Sequence, residues 1–176
     1  MDAVRKQLVV AVSGVKNSGK TTFLEHLLPI LNKKGFKVAV IKHDGHDFEP
    51  DVKGTDTWRL KNAGAYGTGI FSDSRWMVVK EEPAPDERIL LELFPEADVI
   101  LLEGMKSSAY PKFEIVRKEI SEKSVCRAET LLGLVTDTDL SIPGVPCFAL
   151  DDYEACAEII KQKSHCRRQF SLDFCS

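Results

Sequence analysis

One stretch limits the possible folds more than any other. Gly14-Val15-Lys16-Asn17-Ser18-Gly19-Lys20-Thr21 follows the apolar run Leu8-Val9-Val10-Ala11-Val12 and precedes Thr22-Phe23-Leu24-Glu25-His26-Leu27-Leu28. Strand, glycine-bounded loop and helix in that order form the setting of a phosphate-binding P-loop. Gly14 and Gly19 let the backbone curl so that successive N–H groups point into one concavity. The helix that opens near Lys20 adds unpaired N–H groups and the positive end of its dipole. In this pattern Lys20 reaches the β- and γ-phosphates, and the Thr21 hydroxyl ligates Mg²⁺. Gly14, Val15, Lys16, Asn17, Ser18, Gly19, Lys20, Thr21 and Thr22 are therefore the expected nucleotide-binding residues. Lys16 reads as a surface or γ-phosphate-side residue. A deviant P-loop carries its extra lysine directly after the first glycine, where Val15 stands here.

The rest of the chain predicts an α/β protein of the P-loop NTPase type. A mostly parallel, twisted sheet flanked by helices is expected, with a β-hairpin extension. Leu24, Leu27, Leu28 and Leu31 share one helical face up to Gly35, and Pro29 is expected to kink that helix. The β-branched run Lys37–His43 then completes a right-handed βαβ unit. A polar, turn-rich stretch follows from Asp44 to Gly54, at the strand edge where open α/β sheets bind ligands. A short helix from Thr55 to Ala63, strands at Tyr66–Phe71 and Arg75–Lys80, and a helix opened by Pro83-Ala84-Pro85 come next. Asp98-Val99-Ile100-Leu101-Leu102-Glu103-Gly104 has the form of a Walker B strand. Its terminal carboxylate lies beside the P-loop in such folds and binds Mg²⁺ or its water. Beyond it the pattern predicts a strand at Lys112–Arg117, a helix around Ile120–Thr130, strands at Leu131–Thr136 and Val145–Leu150, and a helix at Tyr153–Lys163. Residues 1–163 read as one nucleotide-binding domain and 164–176 as a C-terminal tail.

Composition narrows the partners. A chain of 176 residues with 43% hydrophobic residues suits a soluble domain with a full core. A net charge of −3 argues against nucleic acid as the main partner. No apolar run approaches the roughly 18–20 residues that span a bilayer, so no membrane role is expected. The amino-terminal residues lack a signal-peptide core, which makes the expected location cytoplasmic. Five scattered cysteines without a Cys-x-x-Cys pair suggest neither a disulfide framework nor a zinc site. Cys147 and Cys156 read as buried, and Cys166 and Cys175 as exposed thiols.

These residues resemble the molybdopterin-guanine dinucleotide biosynthesis adaptor (MobB) family. The resemblance is carried by the P-loop and Ile41-Lys42-His43-Asp44-Gly45-His46, then by Lys53-Gly54-Thr55-Asp56-Thr57 and Ala63-Gly64-Ala65. It continues through Leu102-Glu103-Gly104-Met105-Lys106 and Tyr110-Pro111-Lys112 leading to Arg117. It covers roughly residues 8–150. It implies a homodimeric, GTP-binding protein with weak GTPase activity. Such a protein assists the guanylyltransferase that attaches GMP to molybdopterin in molybdenum cofactor assembly. Met105 stands where the family often has an aromatic residue, and the cysteine-containing tail has no counterpart there.

Several side chains remain open between roles. His43 and His46 have the spacing of a metal pair, of a solvated loop, or of a face toward phosphate or pterin. In the last reading Lys42 and His43 meet an anionic substrate while Asp44 helps hold Mg²⁺. Thr136-Asp137-Thr138-Asp139 occupies the place of a guanine-reading turn without its lysine, so Asp139 or Asp137 is the candidate acceptor. Lys106, Lys112 and Arg117 form a solvated face or a site for a pterin phosphate or an acidic partner surface. Lys20 and Glu103 are the catalytic candidates, and Thr21, Asp44 and Glu103 the metal ligands. The chain shows no water-positioning glutamine or arginine finger, so turnover should be slow. A stand-alone small-molecule kinase is the competing expectation, and a structural subunit with an inert P-loop the third. A kinase needs an arginine-rich lid over the phosphates, and none is visible before Glu103.

Overall fold

The computed structural model of the protein describes residues 7–82 and 86–172. It falls into two compact units. One takes the described residues through His43 and from Ile89 onward; the other is Asp44–Arg88.

The first unit carries a six-stranded sheet of β1 (Leu8–Ser13), β2 (Val38–Lys42), β5 (Val99–Glu103), β6 (Lys112–Val116), β7 (Leu131–Thr136) and β8 (Cys147–Phe148). Their order is β2-β5-β1-β6-β7-β8, and every neighbouring pair is parallel. Strands buried on both faces need near-continuous apolar runs, which β1 and β5 supply. The connection from β1 to β2 runs through α1 (Lys20–Lys33), so β5 inserts between two strands that are successive in sequence. This insertion sets the Walker B strand directly against the P-loop strand, with Val12 paired to Glu103.

One face of the sheet is sealed by α1 and the C-terminal helix α4 (Tyr153–Leu172). Leu27 and Leu31 of α1 pack there with Val10, Val12, Leu101 and Phe113, and with Cys156 and Ile160 of α4. The helical leucine periodicity is what lets one side of α1 bury this set while Glu25, His26 and Asn32 stay exposed. The helix runs on through Pro29, which sits on its exposed side. The other sheet face carries a smaller cluster of Ala11, Ile41, Ala97, Ile100 and Leu102, with Leu91 of α3 (Glu87–Glu92) against it.

The second unit contains α2 (Asp56–Asn62) and an antiparallel hairpin of β3 (Gly67–Phe71) and β4 (Trp76–Lys80). Thr55 caps α2 as expected, accepting from the Trp58 N–H. Phe71 pairs with Trp76 in the hairpin, and both are exposed.

Four expectations are corrected. No α-helix forms around Ile120–Thr130; only Ala128–Thr130 makes a 3-10 turn. The chain there is held instead by Glu114, whose carboxylate accepts from the Val125 N–H at 2.6 Å and from the Ser124 hydroxyl. The strand at Val145–Leu150 shortens to two residues. The last helix does not stop at Lys163 but runs on through the expected tail as far as Leu172, with Ser164 buried; residues 173–176 lie outside the described residues. Cys147 is exposed rather than buried.

Cys156 is fully buried, and burial pushes its thiol up to about 12, with Asp152 adding to the shift. Burial likewise raises Cys126 to about 11, and the Glu114 charge acts in the same direction. Raising a thiol from about 9 to 11 cuts its thiolate fraction at pH 8 roughly a hundredfold. Iodoacetamide at pH 8 should therefore label exposed Cys147 and Cys166 well before Cys126 and Cys156, as read by peptide mass mapping. Equal labelling of Cys126 and Cys147 would contradict this order.

Candidate functional site

β1 ends at Ser13 and the chain turns at Gly14. A Cβ at Gly14 would lie 2.6 Å from both the Ile115 carbonyl oxygen and Ser18 Oγ, and φ is +144°, so no side chain fits there. Asn17 is left-handed at φ 62°, and Gly19 follows at φ 96° as the N-cap of α1. No side chain caps that helix, and its first turn holds no acidic residue. The N–H groups of Lys20, Thr21 and Thr22 therefore meet neither an intrahelical acceptor nor a carboxylate of their own turn. Ser18 Oγ is buried and has no hydrogen-bond partner among the described residues. This is a cradle lined by donors, at the positive end of a 14-residue helix.

Lys20 folds over the loop, and its Nζ donates to the Val15 carbonyl at 2.7 Å. Burial lowers its pKa from the ordinary lysine value; Lys42 and Lys106 act in the same direction and Glu103 opposes them. An ammonium held among other cations gains from an arriving anion.

Glu103 faces this loop from the end of β5. It is buried, and the Thr21 hydroxyl donates to both of its oxygens, at 3.0 and 3.1 Å. Lys42 Nζ lies 3.8 Å from one of them. Two backbone-anchored contacts fix the register here: the Gly104 N–H donates to the Val12 carbonyl at 2.9 Å, and the Ser13 hydroxyl donates to the Gly104 carbonyl. Thr21 and Glu103 thus present hard oxygen donors side by side, which suits Mg²⁺. Among the described residues no group of three or more His, Cys, Asp or Glu is placed to hold a metal, so phosphate oxygens and water would have to complete the shell.

The remaining predicted residues divide. His43 follows β2, and its N–H donates to the Glu103 carbonyl at 3.0 Å while its side chain is exposed. Lys106 is exposed and contributes to the field at Lys20. Asp139 is exposed in the turn after β7, whereas Asp137 accepts from the Lys118 N–H at 2.8 Å. Asp44 belongs to the other unit, where it accepts from the His46 N–H at 3.3 Å.

Lys112 corrects the expectation of a solvated cationic face. It is fully buried, and its Nζ donates to the carbonyls of Ser108 at 2.7 Å, Met105 at 3.2 Å and Lys106 at 3.3 Å. It ties down the loop that leaves Glu103, where Met105 itself has a φ of +54°. Lys112 and Glu114 alternate with Phe113 and Ile115 in a strand that is buried throughout. Two charges inside such a strand are the signal that sequence reading passed over.

With this geometry in view, the sequence profile of the family described as molybdopterin guanine dinucleotide synthesis protein B matches residues 9–137. The chain belongs to that family. It is 34% identical over 137 residues to the molybdopterin-guanine dinucleotide biosynthesis adapter protein of Haemophilus influenzae, covering 76% of this chain and 77% of that one. A probable adapter protein of the same name from Bacillus subtilis is 31% identical over 168 residues, covering 92% and 96%. The crystal structure of Bacillus subtilis MobB superposes with a TM-score of 0.69 at 30% identity, covering 88% of this chain and 96% of that one. The mostly parallel six-stranded sheet flanked by helices thus matches the fold of MobB crystal structures.

Proposed function

We propose that this protein is a GTP-binding adaptor in molybdopterin-guanine dinucleotide biosynthesis, hydrolysing GTP slowly and assisting a guanylyltransferase. The observation that carries the nucleotide part is the Thr21–Glu103 pair facing a loop of free amides at the head of α1. The loop N–H groups and Lys20 would hold the β- and γ-phosphates. Thr21 and Glu103 would hold Mg²⁺, which when bound neutralises charge on the phosphate oxygens. Guanine would be read by Asp139, because the Asp137 carboxylate is already engaged by the Lys118 N–H. His43 and Lys106, both exposed, offer positive charge to an anionic pterin. A homodimer is part of this reading, supported by the exposed apolar hairpin face of Phe71, Trp76 and Val78.

Slow turnover follows from what the chain lacks at this edge. Its three glutamines are Gln7, before the amino end of β1, and Gln162 and Gln169, within α4. Gln7 is at the opposite end of its strand from the P-loop, so it cannot orient an attacking water there. Labelled GTP and the purified protein decide the matter. Binding with turnover on the order of 10⁻³ s⁻¹ is expected where loop and lysine act without a supplied arginine. Turnover near 10 s⁻¹, transfer of the γ-phosphoryl group to an acceptor, or no binding would each reject it.

A further inference from the structure

Arg117 follows β6 on the side of β1 away from Glu103. β5 flanks β1 on one side and β6 on the other, with Ser13 paired to Glu114 and Val116 paired to Thr136. The backbone at Arg117 is held firmly: its carbonyl accepts from the N–H groups of Ile120 at 2.9 Å and Ser121 at 2.8 Å. The next residue, Lys118, donates its N–H to Asp137 in the turn after β7. The side chain then lies along the P-loop. A methyl group placed on Gly19 would stand 3.8 Å from both Cδ and Nη1 of Arg117. Its Nε is buried and has no hydrogen-bond partner among the described residues, and no carboxylate among them forms an ion pair with it. A guanidinium kept beside the amides of an anion cradle, with a buried donor unspent, is arranged to receive an oxyanion.

We propose that Arg117 is a nucleotide-binding residue that grips the phosphates nearest the nucleoside, between the P-loop and the turn carrying Asp137 and Asp139. It rests on the nucleotide reading above and adds to it. The location excludes the role of an arginine finger. The γ-phosphate side of the loop is the Glu103 side, with Lys42 and Lys106 also acting on Lys20 there, whereas Arg117 stands across β1. The phosphates it meets are common to GDP and GTP, so its contribution to binding is the same for both and absent from the hydrolysis step.

The test uses the full chain with Mg²⁺ and measures GDP and GTP affinity by titration calorimetry. Arg117→Gln keeps the stem that packs along Gly19 and removes the charge. It should weaken both nucleotides by about tenfold or more, equally within about twofold. Arg117→Lys keeps a charge without the planar fork and should fall between. A wild-type protein that binds neither nucleotide would overturn the nucleotide reading and this one with it. Wild-type binding with unchanged affinities in Arg117→Gln would overturn only this one, leaving Arg117 as packing. A loss confined to GTP with slowed hydrolysis would also overturn it, by placing the charge at the γ-phosphate. Because Arg117→Lys retains size and charge, it supplies the comparison if Arg117→Gln does not fold.

Discussion

Replacing Lys20 by alanine should lower GTP affinity by about a hundredfold while leaving the fold intact. The side chain's polar contact is with the Val15 carbonyl, inside the loop itself, so the hydrophobic core does not depend on it. What it supplies is a partly desolvated positive charge whose pKa burial has already lowered. Such a cation is worth more to a phosphate than a solvated one, because little water remains to be displaced. Calorimetric titration with GTP and Mg²⁺, beside a thermal melt of each variant, separates the two terms. A melt unchanged within a few degrees and a collapsed affinity are expected. Retained affinity in Lys20→Ala would mean that phosphates do not bind at this loop.

The second large effect concerns stability. Lys112→Met keeps most of the length of the side chain and removes the ammonium that donates to the Ser108, Met105 and Lys106 carbonyls. It also removes a positive charge that acts on Glu114, buried in the same strand. Removing these charge-assisted hydrogen bonds and the compensating charge beside a buried carboxylate costs about 3 kcal/mol. For a chain of this size that corresponds to a Tm lower by about 6–12 °C. The loop from Gly104 to Ser108 would loosen with it, and nucleotide affinity should fall less than in Lys20→Ala. An unfolding free energy from urea titration within about 0.5 kcal/mol of wild type would show that the ammonium is dispensable there.

The loop between β1 and α1 was legible because its information is local. A glycine pair at fixed spacing specifies the backbone turn by which the strand passes into the helix. The terminal carboxylate of an apolar strand could be placed beside them by topology alone, and Val12 is indeed paired with Glu103. What escaped was set by contacts distant in sequence or by the chain's path through space. Lys112 reads as one of three surface cations until the loop before it folds three carbonyls onto its ammonium. Arg117 belongs to the same trio, and only the pairing of β6 with β1 brings it to Gly19. The helix expected at Ile120–Thr130 lost to side-chain anchoring by Glu114, which holds Ser124 and Val125 in an irregular path. The helix extension to Leu172 was hidden by a sequence without a clear apolar period after Ser164. Among the described residues, no helix is long and apolar enough to cross a membrane.

The central claim is that the amides of Gly14–Thr22 grip a nucleoside triphosphate while Thr21 and Glu103 share its metal. A crystal structure with Mg²⁺ and a non-hydrolysable GTP analogue tests it most directly. The account predicts phosphate oxygens within hydrogen-bonding distance of the loop N–H groups and Lys20 Nζ. It also predicts that the Thr21 hydroxyl turns from Glu103 to the metal. An analogue bound elsewhere, with Lys20 still on the Val15 carbonyl and Thr21 still on Glu103, would contradict it.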